Sequence, residues 1–119
     1  MLMLPPSVRI YLAVQPIDCR KSFDGLSMAV RSVLRHDPMN GHIFIFLNRR
    51  GDQVRLLVWD RNGFLVLCKR LERGVFRIPR EPVPGDGHVE LDTAELGLVL
   101  EGIDLRGATR RKRWEPRAP

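Results

Sequence analysis

The hydrophobic positions of this chain fall into short blocks of two different periods. After Pro5 and Pro6, SVRIYLAV alternates, with Val8, Ile10 and Leu12 to one side and Arg9 and Tyr11 to the other, which predicts a short strand. From Ser22, a candidate N-cap, Phe23, Leu26, Val30, Val33 and Leu34 recur at three- and four-residue steps and place one apolar stripe on a helix over about residues 23–36. Arg31 and Arg35 lie off that stripe, facing solvent or a partner. Asp37-Pro38 ends the helix, because the residue before proline is pushed out of the helical region.

HIFIFL, residues 42–47, is continuously apolar and predicts a central strand covered on both faces. NRRGD, residues 48–52, is a turn; QVRLLVWD is a second strand and FLVLCKRL a third, with Asn62-Gly63 as the hairpin signal between them. Together the three strands make an antiparallel meander. Read as a two-residue type I′ turn, Asn62-Gly63 makes paired positions sum to 125. Trp59 then opposes Val66, Leu57 opposes Cys68, and Arg55 opposes Arg70, so that an anion or carboxylate would be needed between the two arginines. Whatever the register, the third strand returns Lys69, Arg70 and Arg73 to the end that carries Arg49 and Arg50. The alternative reading of those five cations is a solvated rim with Asp52 and Glu72 as local partners.

Gly74 to Ile78 reads as a further short strand, and PREPVPGDG, residues 79–87, as irregular loop. Asp92 and Glu95 have capping-box spacing, Leu91 can pack on Leu96 as a hydrophobic staple, and Gly102 stops the second helix. The expectation is a single α+β domain over residues 1–105: an antiparallel β-meander sheet with one main helix packed on a face and a short C-terminal helix. Residues 106–119 form a basic tail, expected to be disordered alone.

At 119 residues and 44% apolar content, the chain suits one modest core. No stretch approaches the roughly 18 apolar residues of a membrane helix, and MLMLPPSVRIYLAV has no basic n-region, so the expectation is a cytoplasmic protein without a membrane partner. Cys19 and Cys68 are isolated, which favours reduced thiols in or near the core over a disulfide, a zinc site or a nucleophile.

Charge changes the picture more. The net is +6, yet residues 1–80 carry 14 Lys and Arg against 6 acids, residues 81–104 carry 7 acids and no Lys or Arg, and residues 105–119 carry 6 cations against 1 acid. A basic body with a basic tail suits a polyanion, since Lys and Arg that neutralise phosphates release counterions. Only three of the 20 cations are lysine, a ratio that fits bidentate phosphate contacts or equally the base composition of a genome. In the tail, Arg110, Arg111, Lys112 and Arg113 precede Trp114, a pattern that either tracks a nucleic-acid backbone or merely solubilises. The acidic stretch around the second helix would repel DNA and is assigned an internal or protein-facing role.

Arg20 and Lys21, inside DCRKSFDGL, either reach outward to a phosphate or pair with Asp18 and Asp24. The acids of the basic body stand singly at turns and caps, where Asp is expected for backbone reasons. HExxH, nucleophile-elbow, Walker and GxGxxG patterns do not occur, and His36, His42 and His88 are scattered along the chain. No catalytic residue, metal ligand or cofactor is assigned.

Three blocks, DCRKSFDGL, DPMNGHIFIFLNRRGDQVRLLVWDRNGFLVLCKRLERGVF and ELGLVLEGID, together resemble the TnpB-type accessory proteins, also called Orf2-like, of bacterial insertion-sequence family sixty-six. These are unrelated to the RNA-guided nuclease that shares the name TnpB. The resemblance covers residues 7–106. Cys19 stands where the family more often has methionine, and Ser22 where glycine is common. The resemblance implies a small protein encoded beside a transposase that carries the catalytic acids, and brings no catalytic residues with it.

The combined expectation is a non-catalytic accessory factor for transposition that binds DNA through Arg20, Lys21, Arg49, Arg50, Arg55, Lys69, Arg70, Arg73 and the tail cations. The element's ends are the expected DNA, and the transposase and other proteins of the same element the expected protein partners. The alternative is an adaptor that docks on the transposase through Trp59, Phe64 and the acidic second helix. A metal-dependent nuclease would require the isolated carboxylates to converge in space.

Overall fold

The computed structural model describes residues 7–79 and 81–103. Five strands form one sheet in the order β4-β3-β2-β1-β5, with β1 at Ile10–Ala13, β2 at Ile43–Leu47, β3 at Gln53–Asp60, β4 at Gly63–Arg70 and β5 at His88–Leu91. Helix α1, Phe23–Ala29, continues into a π-helical turn, Val30–Leu34, and α2 is Thr93–Glu101. The fold is α+β with a mostly antiparallel sheet.

The central strand is the apolar one. Phe44, Ile45 and Phe46 of β2 are almost completely buried, because the pleat sends them alternately into two cores. On one face Tyr11, Phe44, Phe46 and Leu57 pack against Leu26, Val30 and Leu34 of the α1 segment. On the other Leu12, Ile45, Leu56 and Val89 pack with Phe76 and with Leu96 and Val99 of α2. The β2-β3-β4 meander stands as the sequence predicts.

The strand pairing outside the meander differs from expectation. β1 runs parallel to β2, with α1 as the crossover that parallel neighbours require, and antiparallel to β5. HVEL is hidden in the sequence by its length: four residues between a Pro/Gly-rich loop and a helix cap offer only two alternations. Conversely, Gly74 to Ile78 is no strand; Val75 makes an isolated bridge to Ile103.

The hairpin register is also corrected. Asp60 pairs with Gly63, so the loop is Arg61-Asn62, with Arg61 left-handed at φ 59°, and paired positions sum to 123. Trp59 therefore opposes Phe64, Leu57 opposes Val66, and Arg55 opposes Cys68 rather than Arg70. Apolar cross-strand pairs under α1 replace a pairing of two like charges, which is the favourable direction. The Trp59 and Phe64 rings meet edge to face, centroids 5.0 Å apart.

At the helices, Ser22 occupies the N-cap position without a side-chain capping bond, and Phe23 and Val33 are about half exposed instead of inward. Arg31 and Arg35 are exposed as expected. The π-helical turn rotates the stripe, and Arg35, left-handed at φ 59°, ends it while the His36 amide reaches back to the Val30 carbonyl. At α2 the capping box forms in full: the Asp92 carboxylate accepts from the Glu95 amide at 2.7 Å and Glu95 accepts from the Asp92 amide at 3.0 Å. Leu91 and Leu96 are both buried, and Gly102 caps the end. Among the described residues no helix is long and apolar enough to cross a membrane.

Candidate nucleic-acid interface

Two connections at one end of the sheet form the walls of a cleft. The first, residues 16–20, leaves β1 for α1; the second, residues 48–53, turns from β2 into β3. The Ile17 amide donates to the Leu47 carbonyl at 2.9 Å and ties them together. Between them is a cleft of about 590 Å³ lined by Pro16, Ile17, Asp18, Cys19 and Arg20 on one side and by Asn48, Arg49, Arg50 and Gln53 on the other. Arg20 and the Arg49-Arg50 pair, far apart in sequence, thus share one cavity.

The second wall is rigid for reasons legible in its residues. The Asn48 side chain donates to Asp52 at 2.7 Å and accepts from the Gln53 amide at 3.0 Å, closing the turn on itself. Gly51 adopts φ 81°, and its carbonyl accepts from the Phe76 amide at 2.7 Å. The Asn48 hydrogen bond, helped by Arg50 and Arg70, holds the Asp52 carboxyl below its ordinary range. Arg49 and Arg50 are left exposed at the tip.

On the first wall, Asp18 binds Arg20 side-on. Its carboxylate accepts from the Arg20 Nε at 3.1 and 3.2 Å, from Nη2 at 2.9 Å and from the Arg20 backbone amide at 2.9 Å. Those bonds pull the Asp18 carboxyl down to about 2. Arg20 thus both pairs locally and faces outward, its side chain 91% exposed. Lys21 is exposed beside it and rests its stem where a Cβ on Gly25 would come within 2.9 Å.

The remaining expected cations divide. Arg70 lies opposite Gln53, and both border a second hollow of about 310 Å³ with Val54, Cys68 and Lys69, so Gln53 lines both hollows. Lys69 is committed elsewhere, its Nζ donating to the Leu100 carbonyl at 2.7 Å. Arg73 is exposed. Arg55 is half-buried next to Cys19, and its buried Nε has no hydrogen-bond partner among the described residues. Burial pushes the Cys19 thiol up while Arg55 opposes it. Arg110, Arg111, Lys112 and Arg113 lie outside the described residues. Trp59 and Phe64 are half-buried, with Phe64 packed on the α1-side core.

One cluster has no signature in the sequence. His36, His42 and His88 gather around Tyr11, at ring-centroid distances of 4.3, 5.9 and 4.9 Å. The parallel β1–β2 pairing and the unforeseen β5 bring them together, and neither is legible in local periodicity. Burial first, then His88 and His42, lowers the pKa of His36. Among the described residues no group of three or more His, Cys, Asp or Glu is placed to hold a metal ion.

Compared with known proteins, the chain matches the family described as IS66 Orf2-like protein over residues 8–110. It is similar to two proteins of Sinorhizobium fredii (strain NBRC 101917 / NGR234). One, named uncharacterized protein y4jC, is 39% identical over 98% of this chain and 97% of its own length. The other, uncharacterized protein y4hO, is 33% identical over 96% of each. No solved structure matches the chain.

Proposed function

Because the chain belongs to the IS66 Orf2-like family and is therefore associated with an insertion sequence, we propose that it serves transposition as a non-catalytic accessory factor that holds DNA by its phosphates. The observation that carries this reading is the shared cleft, which Arg20 and the Arg49-Arg50 pair line from two connections, with Arg70 beside a second hollow that Gln53 also lines. Guanidinium forks converging from two sides can grip a phosphate bidentately. Such contacts position a protein on DNA without specifying sequence. The element's ends are the DNA this reading assigns, with residues 1–105 acting as one domain and residues 106–119 as an added basic arm.

Fluorescence anisotropy with a duplex of the element's terminal repeat, over a salt series, tests it. Wild-type protein should show a steep salt dependence, and R49A/R50A should flatten it. Affinity that does not respond to those arginines would remove the reading.

A second reading is favoured by β4. This edge strand leaves Leu65 54% and Leu67 65% exposed, beside the Trp59–Phe64 pair, and an exposed apolar edge is a template for another chain. On this reading the protein docks on the element's transposase, the acidic α2 region also facing protein, and DNA is left to the partner. Co-purification with the transposase, lost in L65K/L67K but kept in R49A/R50A, would favour it.

A further inference from the structure

The geometry points to a single unpaired nucleotide of a DNA strand as the occupant of the cleft between residues 16–20 and 48–53. This rests on the DNA-binding reading and deepens it. A site for duplex phosphates alone needs only cations on a convex or shallow surface. Here the arginines share a concavity of about 590 Å³ with the apolar side chains of Pro16 and Ile17, within the range of about 300–1,000 Å³ that suits small-molecule-sized ligands. A base held in the duplex stack keeps its faces covered by its neighbours, whereas an unstacked one can lay its face on apolar side chains and offer its edge for hydrogen bonding.

The polar groups divide accordingly. Asp18 takes the Nε and Nη2 of Arg20 and leaves Nη1 without a partner among the described residues, so Arg20 is oriented yet still able to donate. Arg49 and Arg50 stand on the opposite wall, which lets a phosphate be held from both sides. Of the two amides at the cleft, Asn48 is consumed by its own turn. The Gln53 amide has no side-chain partner among the described residues, and a free amide is the group that pairs bidentately with a base edge. Gln53 also borders the second hollow with Arg70, giving the strand's next phosphate a place to run. Arg55, half-buried against the lining residue Cys19, adds a positive charge behind the cleft wall.

The test compares a blunt terminal-repeat duplex with the same duplex carrying a five-nucleotide single-stranded extension, at one salt concentration. Wild-type protein should bind the extended probe about five- to tenfold more tightly, the size of a net hydrogen bond with some added packing. Gln53→Ala should lose most of that preference, read as the ratio of the two affinities, and an unchanged urea unfolding midpoint shows the variant to be folded. Cross-linking from a 5-iodouracil placed at the first unpaired position should reach peptides containing residues 16–20 or 48–53. Equal affinity for both probes, still sensitive to R49A/R50A, would overturn the nucleotide site and leave DNA binding standing. Binding to neither probe, or binding indifferent to R49A/R50A, would overturn both.

Discussion

The Ile17 amide and the Leu47 carbonyl, 2.9 Å apart, join the two connections that carry Arg20 and Arg49-Arg50. That one bond ties the strand-to-helix crossover to the start of the β2–β3 turn, so the cleft is a consequence of β1 and β2 being parallel neighbours. The sheet positions the arginines; local turn chemistry holds them there.

Asp18 should titrate abnormally. Its carboxyl sits at about 2 in the folded chain because of Arg20, against 3.8 ordinarily. A carboxyl depressed by folding binds fewer protons folded than unfolded, so its stabilising contribution is fully present above pH 4 and is lost as pH falls through about 2. Carbon-detected NMR of the side-chain carboxyl should give a midpoint near 2 in wild-type protein and a return toward 3.8 in Arg20→Ala.

His36 gives a second pH dependence in a different window. Its folded pKa is lowered from 6.5 by burial and by His88 and His42, with Glu90 opposing. The unfolded chain therefore takes up the proton first, and stability falls as pH drops below about 6.5. Thermal unfolding between pH 8 and pH 5 should show a falling Tm that is flatter in His36→Phe, a variant that keeps a ring against Tyr11.

Leu57 is fully buried under α1, opposite Val66. Leu57→Ala should cost about 2–5 kcal/mol through reduced burial and a residual cavity. Urea unfolding checks it: the midpoint should drop with an unchanged m-value.

Gly102 combines φ 73° with ψ −176°, backbone that essentially only glycine adopts. A Cβ there would also lie 3.2 Å from the Val75 carbonyl and 2.6 Å from a Leu71 methyl. Leu71 can rotate away, but the carbonyl belongs to the Val75–Ile103 bridge and cannot. Gly102→Ala should destabilise by about 1–3 kcal/mol, read as a lower urea midpoint.

Much of this arrangement is legible in the amino-acid sequence. The β2-β3-β4 meander, the α2 capping box and the return of Arg70 to the NRRGD end follow from apolar runs, cap spacing and connectivity, all local or nearest-neighbour signals. The hairpin register is not, because Asp60-Arg61-Asn62-Gly63 admits two adjacent loop placements, and only the pairing of Trp59 with Phe64 and Leu57 with Val66 decides between them. The cleft is half legible. Its arginines stand out in the sequence as two separate groups, but their meeting depends on the parallel β1–β2 pairing, a long-range fact with no periodic signature. The histidine cluster depends on β5 in the same way.

The salt dependence of DNA affinity tests the central claim most directly. With affinity for the terminal-repeat duplex measured across a salt series, the slope of log K against log salt should be less steep in R49A/R50A than in wild-type protein by about one for each phosphate no longer held, with both proteins giving the same unfolding midpoint. Identical slopes would contradict the account, because the arginines of the cleft would then hold no phosphate.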